Sequence, residues 1–586
     1  MKKENSQAKG KAKKEQRKMS TDFHKSTVYQ IYPKSFLDTT GSGVGDLKGI
    51  TEKLDYLHDL GVDYLWITPF FVSPQVDNGY DVADYYHIDP LFGAMEDLEE
   101  LIKEAGKRNV GLMLDMVFNH TSDEHEWFQR ALRGERKYMD YYYFRKGKGP
   151  GLPPNDWDNR VVPGSAWEYV PHMDLWYLHL YDKKQPDLNW ENPQVREELK
   201  KVVRFWVNKG IKGFRFDVVN LVSKPEGLPD DGVGGGNNGK RLYTDGPRIH
   251  EFLHELTADT GIDSLVTVGE MASTSLEHCI RYSRPENKEL SMTFSFHHLK
   301  TDYKDGKKWE LMPNDFMELK KILFTWQQEM QQGGGWNALF WCNHDQPRIV
   351  SRYGDDGIYW KESAKMLAMA IHFMRGTPYI YQGEEIGMTN VKNYDRIEDF
   401  NDSESRDNYQ ALLKNGKSPE EALHIIQARS RDNGRTPMQW TGEEALNGGF
   451  TSGTPWLKCN SNLSRINVQK QRDDADSIYS FYKKLVQLRK EYKVIAEGTF
   501  VPWLEEHPQI FAYQRILDGE DEKQRLLVLC NFSGEEVDAV PIKEQEIFDA
   551  VSIQLLAANY QDATEKLPCR LRPYEAAAFI AKPEKY

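Results

Sequence analysis

The feature that most constrains this chain is a regular beat of short apolar runs, rich in β-branched and aromatic residues, separated by amphipathic helical stretches. The runs are VYQIYP from Val28, VDYLWITPF from Val62, VGLMLDMVFNH from Val110, IKGFRFDVVN from Ile211, SLVTVGE from Ser264, LSMTFSFHH from Leu290, WNALFWCNHD from Trp336 and TPYIYQGEE from Thr377. Between them the helical period is plain: Ile50, Leu54 and Leu57 share one face, as do Leu98, Leu101, Ile102 and Ala105. Asn192 and Pro193 open another helix as N-cap and first-turn proline, and its apolar stripe through Val195, Leu199, Val202, Val203 and Trp206 stops at Gly210. Strand alternating with helix predicts a parallel sheet. Eight such units predict an α/β fold of the (β/α)8 TIM-barrel type, with a doubly wound open sheet as the rival that shares the same local pattern.

One start-to-start spacing, between the third and fourth runs, is far longer than the others. The chain from Thr121 to Tyr181 is rich in Trp, Tyr, Pro and Gly without helical period and reads as an excursion domain over the strand ends. After the fourth run, KPEGLPDDGVGGGNNGK reads as a mobile or ligand-covering loop. Beyond the helix SIYSFYKKLVQLRKEY the pattern changes to IFAYQRI, RLLVLCNF and AAAFIA separated by turns, a small all-β domain. The expected organisation is therefore a tail (1–20), a barrel (21–120 and 182–493), the excursion (121–181) and a C-terminal β-sandwich (494–586).

Composition excludes several classes. With 39% hydrophobic residues the 586-residue chain can build large cores, and 28% charged residues is an ordinary surface load, so neither global disorder nor a fibre fits. The formal charge of −14 argues against nucleic acid as a partner, since that would demand a basic face. Residues 1–20 run against the trend, with eight Lys or Arg and two Glu, and read as a solvated tail without the apolar core of a signal peptide. No segment is apolar for long enough to span a membrane. The five cysteines are scattered without CxxC spacing, which suits a reducing cytoplasm and offers neither a zinc site nor a disulfide frame. We expect a monomer.

In an α/β barrel the C-terminal strand ends hold the active site. Strand three ends in Asp115, Asn119 and His120, strand four in Arg215 and Asp217, strand five in Glu270, and strand seven in His344 and Asp345. A single Asp at a strand end commonly caps the next helix; four strands ending alike is harder to read that way. A metal centre is the competing reading, but the two histidines lie on different strands without HxH or HExxH spacing, and an arginine among them would oppose a cation. Cleaving a glycosidic bond requires a carboxylate beneath the anomeric carbon and a protonated acid beside the leaving oxygen. Asp217 beside Arg215 is expected to have a lowered pKa and stay ionised, and Glu270, with no adjacent cation, suits the acid.

DMVFNH (115–120), GFRFDVVN (213–220), VGE (268–270) and NHDQ (343–346) resemble, in order, four signature regions of the α-amylase superfamily of glycoside hydrolases, and QPDLNW (185–190) and GTPYIYQGEE (376–385) resemble two more. The resemblance implies Asp217 as nucleophile, Glu270 as general acid/base and Asp345 as transition-state stabiliser. It implies His120, His344 and Arg215 as contacts to the sugar being cleaved, with Asp77, Tyr80 and Arg435 closing that subsite around a terminal glucose. Val218, after the nucleophile, resembles the subgroup acting on α-1,6 or trehalose-type linkages. The stretch NKELSMTFSFHHLK (287–300) is similar to members whose substrate is a phosphorylated disaccharide, which implies retaining hydrolysis of trehalose 6-phosphate. An α-1,6-glucosidase and a non-catalytic, amylase-like binding module are the alternatives.

A phosphate carries near −2 and wants charge-assisted donors. Lys300, two residues beyond His298 at the end of strand six, is the foremost candidate; Lys288, just upstream of the same strand, and Arg281 and Arg284 before it are weaker ones. LDTTGSGVGDLKGI resembles a calcium loop of related enzymes, with Asp38, Thr40, Ser42, Val44 and Asp46 at its ligand positions. Only Asp38 and Asp46 are charged, so we expect weak or absent Ca2+ and no required cofactor.

Overall fold

A computed structural model describes residues 22–161, 164–234, 236–519, 523–539 and 553–581. The basic tail lies outside them. All eight apolar runs form strands: β1 Val28–Ile31, β2 Tyr64–Ile67, β3 Gly111–Val117, β4 Gly213–Asp217, β5 Val266–Glu270, β6 Met292–Phe294, β7 Ala338–Leu339 and β8 Thr377–Tyr381. They pair in parallel in the order β6-β5-β4-β3-β2-β1-β8-β7. A parallel bridge between Thr293 and Asn337 joins β6 to the residue before β7 and closes the ring. The structure is a barrel, and the open-sheet alternative fails on that closure.

The strands are buried along nearly their whole length because helices cover the barrel outside and side chains fill it inside. The helix Pro193–Lys209 shows how sequence sets such an element. The Asn192 side chain accepts from the Gln194 amide, Pro193 occupies the first turn, and Gly210 at φ 102° ends the helix in a conformation a Cβ would strain. Val195, Leu199, Val202, Val203 and Trp206 are buried on its inner face.

The excursion carries a three-stranded antiparallel sheet of Phe144–Arg145, Leu175–Leu178 and Trp167–Val170, in that order. It also contains the helices Glu126–Leu132 and Arg136–Met139, which the sequence reading missed. These helices are too short for an apolar period to register. The C-terminal unit is a five-stranded antiparallel sheet of β9 Thr499–Trp503, β10 Ile510–Asp518, β11 Lys523–Asn531, β12 Ile553–Ala558 and β13 Ala576–Ala581, in the order β9-β10-β11-β13-β12. Period-two alternation splits its faces: Phe511 and Tyr513 join the main core, while Ile510 and Ala512 pack with Val537 and Leu571 of a small two-stranded sheet. The five cysteines are free. Among the described residues no helix is long and apolar enough to cross a membrane.

Candidate active site

The C-terminal ends of the barrel strands converge on a cavity of about 190 Å3 lined by Asp77, Tyr80, His120, Asp217, Glu270 and Asp345 among others. Its hub is Arg215, which is buried. One terminal nitrogen donates to Asp115 at 2.6 Å and to Asp217 at 2.8 Å, and the other donates to Glu270. Asp115 is held in turn by Trp66 Nε1 at 3.0 Å and the Tyr80 hydroxyl at 2.9 Å. Three carboxylates from three strands thus share one guanidinium.

Two expectations change here. Glu270 does have an adjacent cation, because Arg215 reaches across the strand gap, a contact invisible in sequence order. Asp217 is not lowered: burial raises its carboxyl to about 6 even though Arg215 pulls the other way. A charge in a desolvated site loses more hydration than one shared guanidinium returns. It remains mainly ionised at neutral pH.

The backbone after Asp217 turns sharply. Val218 sits at φ 35° and ψ 36°, a left-handed conformation that costs a β-branched residue of order 1–3 kcal/mol. That turn ends β4 at the cavity and puts the Val218 side chain into its wall.

Asp345 occupies a different environment. His344 Nε2 lies 3.1 Å from one carboxylate oxygen, Arg435 donates to the other at 2.7 Å, and Arg431 approaches that oxygen at 3.4 Å. Burial opposes the charge, but His344, Arg431 and Arg435 together hold the carboxyl well below the usual range. Gln30 donates to His344 Nδ1 at 2.9 Å, which leaves Nε2 to carry the proton toward Asp345. Tyr80 stacks on the His344 ring, with centroids 5.1 Å apart and planes within 4°. On the opposite wall His120 Nε2 bonds the Tyr80 carbonyl at 3.0 Å, and Gln185 donates to Asp77 at 3.1 Å. The structure therefore brings together Asp77, Tyr80, His120, Arg215, Asp217, Glu270, His344, Asp345 and Arg435.

The family model for the α-amylase catalytic domain matches residues 30–498. The chain belongs to the α-amylase family of glycoside hydrolases. It is 52% identical over 566 residues to the trehalose-6-phosphate hydrolase of Bacillus subtilis, covering 96% of this chain and 98% of that one. It is 46% identical to an oligo-1,6-glucosidase of Parageobacillus thermoglucosidasius over 95% and 98% of the two chains. The crystal structure of Bacillus licheniformis trehalose-6-phosphate hydrolase superposes with a TM-score of 0.89 at 50% identity, covering 95% of this chain and 99% of that one.

Within this α-amylase-family site sequence reasoning missed Arg431 and Gln185. Gln185 opens the quoted QPDLNW segment and Arg431 lies four residues before Arg435, so polarity beside a motif residue was the available signal. It also placed Lys288 wrongly. Lys288 follows a short turn before β6, so it stands at the N-terminal end of the strand, opposite the cavity. Arg284, on the same turn, donates to the Gly333 carbonyl at 2.9 Å, which occupies its Nε there. Sequence proximity to a strand does not say which end of the barrel a residue reaches. Lys300 closes the turn His297–Lys300 just after β6, on the rim side, and is partly open to solvent.

The candidate calcium loop fits a cation poorly. Asp38 Oδ1 accepts from the amides of Thr40 at 2.8 Å and Gly41 at 3.0 Å and from the Thr40 hydroxyl at 2.9 Å; Oδ2 accepts from Gly43 N at 2.7 Å and Thr451 Oγ1 at 2.6 Å. Asp46 accepts from Thr39 N and Oγ1 at 2.8 and 2.9 Å and caps a helix through Gly49 N at 2.7 Å. The Ser42 hydroxyl donates to the Val44 carbonyl at 3.1 Å. The lone pairs a metal would need already face hydrogens.

Proposed function

We propose that the protein hydrolyses trehalose 6-phosphate to glucose and glucose 6-phosphate with retention of configuration. Asp217 attacks the anomeric carbon of the unphosphorylated glucose while Glu270 protonates the leaving oxygen, so the bond from that carbon to the oxygen breaks and glucose 6-phosphate departs. Glu270, now a carboxylate, takes a proton from water as the water attacks the glucosyl ester of Asp217, which frees glucose and restores both groups. The Arg215 bridge supports this reading, because two carboxylates on the two ends of one guanidinium stay near the roughly 5 Å separation of a retaining pair. Asp345, kept ionised by His344, Arg431 and Arg435, suits binding sugar hydroxyls and stabilising positive charge at the ring. Asp77, Tyr80, His120 and Arg435 enclose the glucose. No cofactor takes part.

The observation that carries the phosphosugar over an α-1,6-linked glucose is Lys300, a rim cation with no ion pair among the described residues, in an acidic chain. The oligo-1,6-glucosidase relative at 46% identity keeps the second reading open to test. Phosphosugars are made and kept inside cells, so this reading places the enzyme in the cytoplasm, with a single chain supplying every residue of the site. Initial rates of the purified protein on trehalose 6-phosphate, trehalose and isomaltose decide the matter. The phosphosugar should be cleaved fastest, and faster cleavage of isomaltose would overturn the assignment. Lys300→Ala should raise KM for trehalose 6-phosphate by about tenfold with little change in kcat, the sign of lost uniform binding; an unchanged KM would remove Lys300 from the site.

A further inference from the structure

Several cations of the excursion, the glycine-rich loop and the barrel rim are neutralised by carboxylates. Arg241 pairs with Asp231 at 2.6 Å, Lys148 with Asp230 at 2.5 Å and Lys308 with Glu404 at 2.7 Å. Arg431 is shared among Asp402, Asp345, Glu404 and Asp77. Three others break the pattern. Arg160, Lys240 and Lys300 have no ion pair among the described residues, and neither lysine ammonium has a hydrogen-bond acceptor among them.

The three come from separate parts of the chain. Arg160 belongs to the excursion, between Asn159 and Val161, which both line the cavity. Its guanidinium lies over the Tyr243 ring at 5.7 Å and 3.5 Å from the Tyr243 hydroxyl, and it also interacts with Tyr181 of the cavity wall. Lys240 begins the short helix Lys240–Tyr243 that supplies that tyrosine. Lys300 arrives from the far side at the end of the turn after β6. Burial, and after it the Arg160 charge, draws both lysines below their usual range, and Lys240 also feels Lys300. Geometry joins two of the heads through Tyr243, which Arg160 overlies and whose helix Lys240 begins, and the repulsion Lys240 feels from Lys300 agrees with the third lying near.

The local backbone is built to hold Lys240 there. Gly239 stands at φ 85°, and a Cβ on it would meet Trp157 Cγ at 2.5 Å, so only glycine lets the loop lie flat on that buried ring. The Gly239 amide donates to Asp231 at 2.8 Å, and Asn238 N donates to Asp158 at 2.9 Å. The glycine-rich segment after β4 is thus pinned at the point where it delivers its lysine. On the other side, Arg352 and Arg429 clamp Asp302, two residues after Lys300, with Arg352 at 2.7 Å. A cation cluster that repels itself and is held in place is a site waiting for an anion with more than one charge.

We infer that Arg160 and Lys240 join Lys300 in a three-point cradle for the phosphate of the leaving sugar, so that excursion, glycine-rich loop and β6 turn each give one donor to a phosphomonoester dianion. This inference rests on the proposed phosphosugar specificity and adds the residues that produce it. The cradle acts in binding and positioning, not in bond breaking. Tyr181, which Arg160 contacts, lines the cavity together with Asp217 and Glu270.

The test is the ratio of kcat/KM on trehalose 6-phosphate to kcat/KM on trehalose, measured for wild type, Arg160→Gln, Lys240→Gln and Lys288→Gln. Each of the first two should lower the ratio about tenfold or more, as expected for one lost charge-assisted contact. Lys288→Gln, at the opposite end of the barrel, should leave the ratio at the wild-type value. Turnover of trehalose by the variants reports that they are folded. If wild type itself prefers an unphosphorylated substrate, the functional reading fails. If wild type prefers the phosphosugar but Arg160→Gln and Lys240→Gln keep its ratio, the cradle fails while the reading stands. Inhibition by glucose 6-phosphate gives a second readout: it should weaken in both variants relative to inhibition by glucose, and equal weakening of the two inhibitors would overturn a phosphate-specific role.

Discussion

Two charged regions lie within one rim and differ in how their charges are matched. Around Asp217 every ionised group is shared: Arg215 serves three carboxylates, and Asp345 is met by His344, Arg431 and Arg435. In the proposed cradle Arg160, Lys240 and Lys300 have no carboxylate partner among the described residues. A matched cluster fixes the geometry of the atoms that react, because buried charges tolerate one arrangement. An unmatched cluster leaves its interaction energy for a ligand. On the proposed function, the difference separates the part of the site that does chemistry from the part that chooses the substrate.

The largest break in this comparison comes from the matched side. Asp217→Ala should reduce turnover at least about 10^4-fold, since it removes the carboxylate proposed to form the glucosyl ester; appreciable residual hydrolysis would refute its role as nucleophile. Next is a pair of identical substitutions at two lysines. Lys224, buried, pairs with Asp187 at 2.7 Å and donates to Asn119 at 3.0 Å, whereas Lys240 pairs with nothing described. Lys224→Met should lose about 3–5 kcal/mol in denaturant unfolding because Asp187 is left charged and buried. Lys240→Met should lose less than about 0.5 kcal/mol. Similar losses at both positions would erase the distinction between matched and unmatched charge.

A smaller effect reads out the electrostatics of the nucleophile. Burial raises Asp217 to about 6, and attack requires the carboxylate, so on the acid side of a bell-shaped profile, whose basic limb belongs to the protonated Glu270, kcat/KM should fall about tenfold per unit below pH 6. A nucleophile lowered by its arginine would instead keep full activity down to about pH 4. The position of the acid limb therefore shows whether desolvation or the shared guanidinium prevails.

Much of the fold was legible in the sequence because each barrel strand is a local event. Eight apolar runs between helical patterns sufficed, and Asp217, Glu270 and Asp345 followed from their places at strand ends. What escaped was the outcome of long-range return. That Arg215 reaches Glu270 and that Lys288 faces the wrong end depend on barrel closure, and that Arg160 and Lys240 come together at Tyr243 depends on where the excursion and the glycine-rich loop come back to the rim. No local period encodes that return. The depth of burial at Asp217 is likewise a property of the assembled barrel, and it reversed the expected direction of the pKa shift.

The central claim is that unmatched rim charge selects the phosphorylated sugar, and its most direct test is equilibrium binding to the full-length Asp217→Ala protein, which cannot turn the ligand over. Titration with trehalose 6-phosphate and with trehalose should show the phosphosugar binding about 100-fold tighter, with the gap shrinking as salt is added. Equal affinities for the two sugars at low ionic strength would contradict the account.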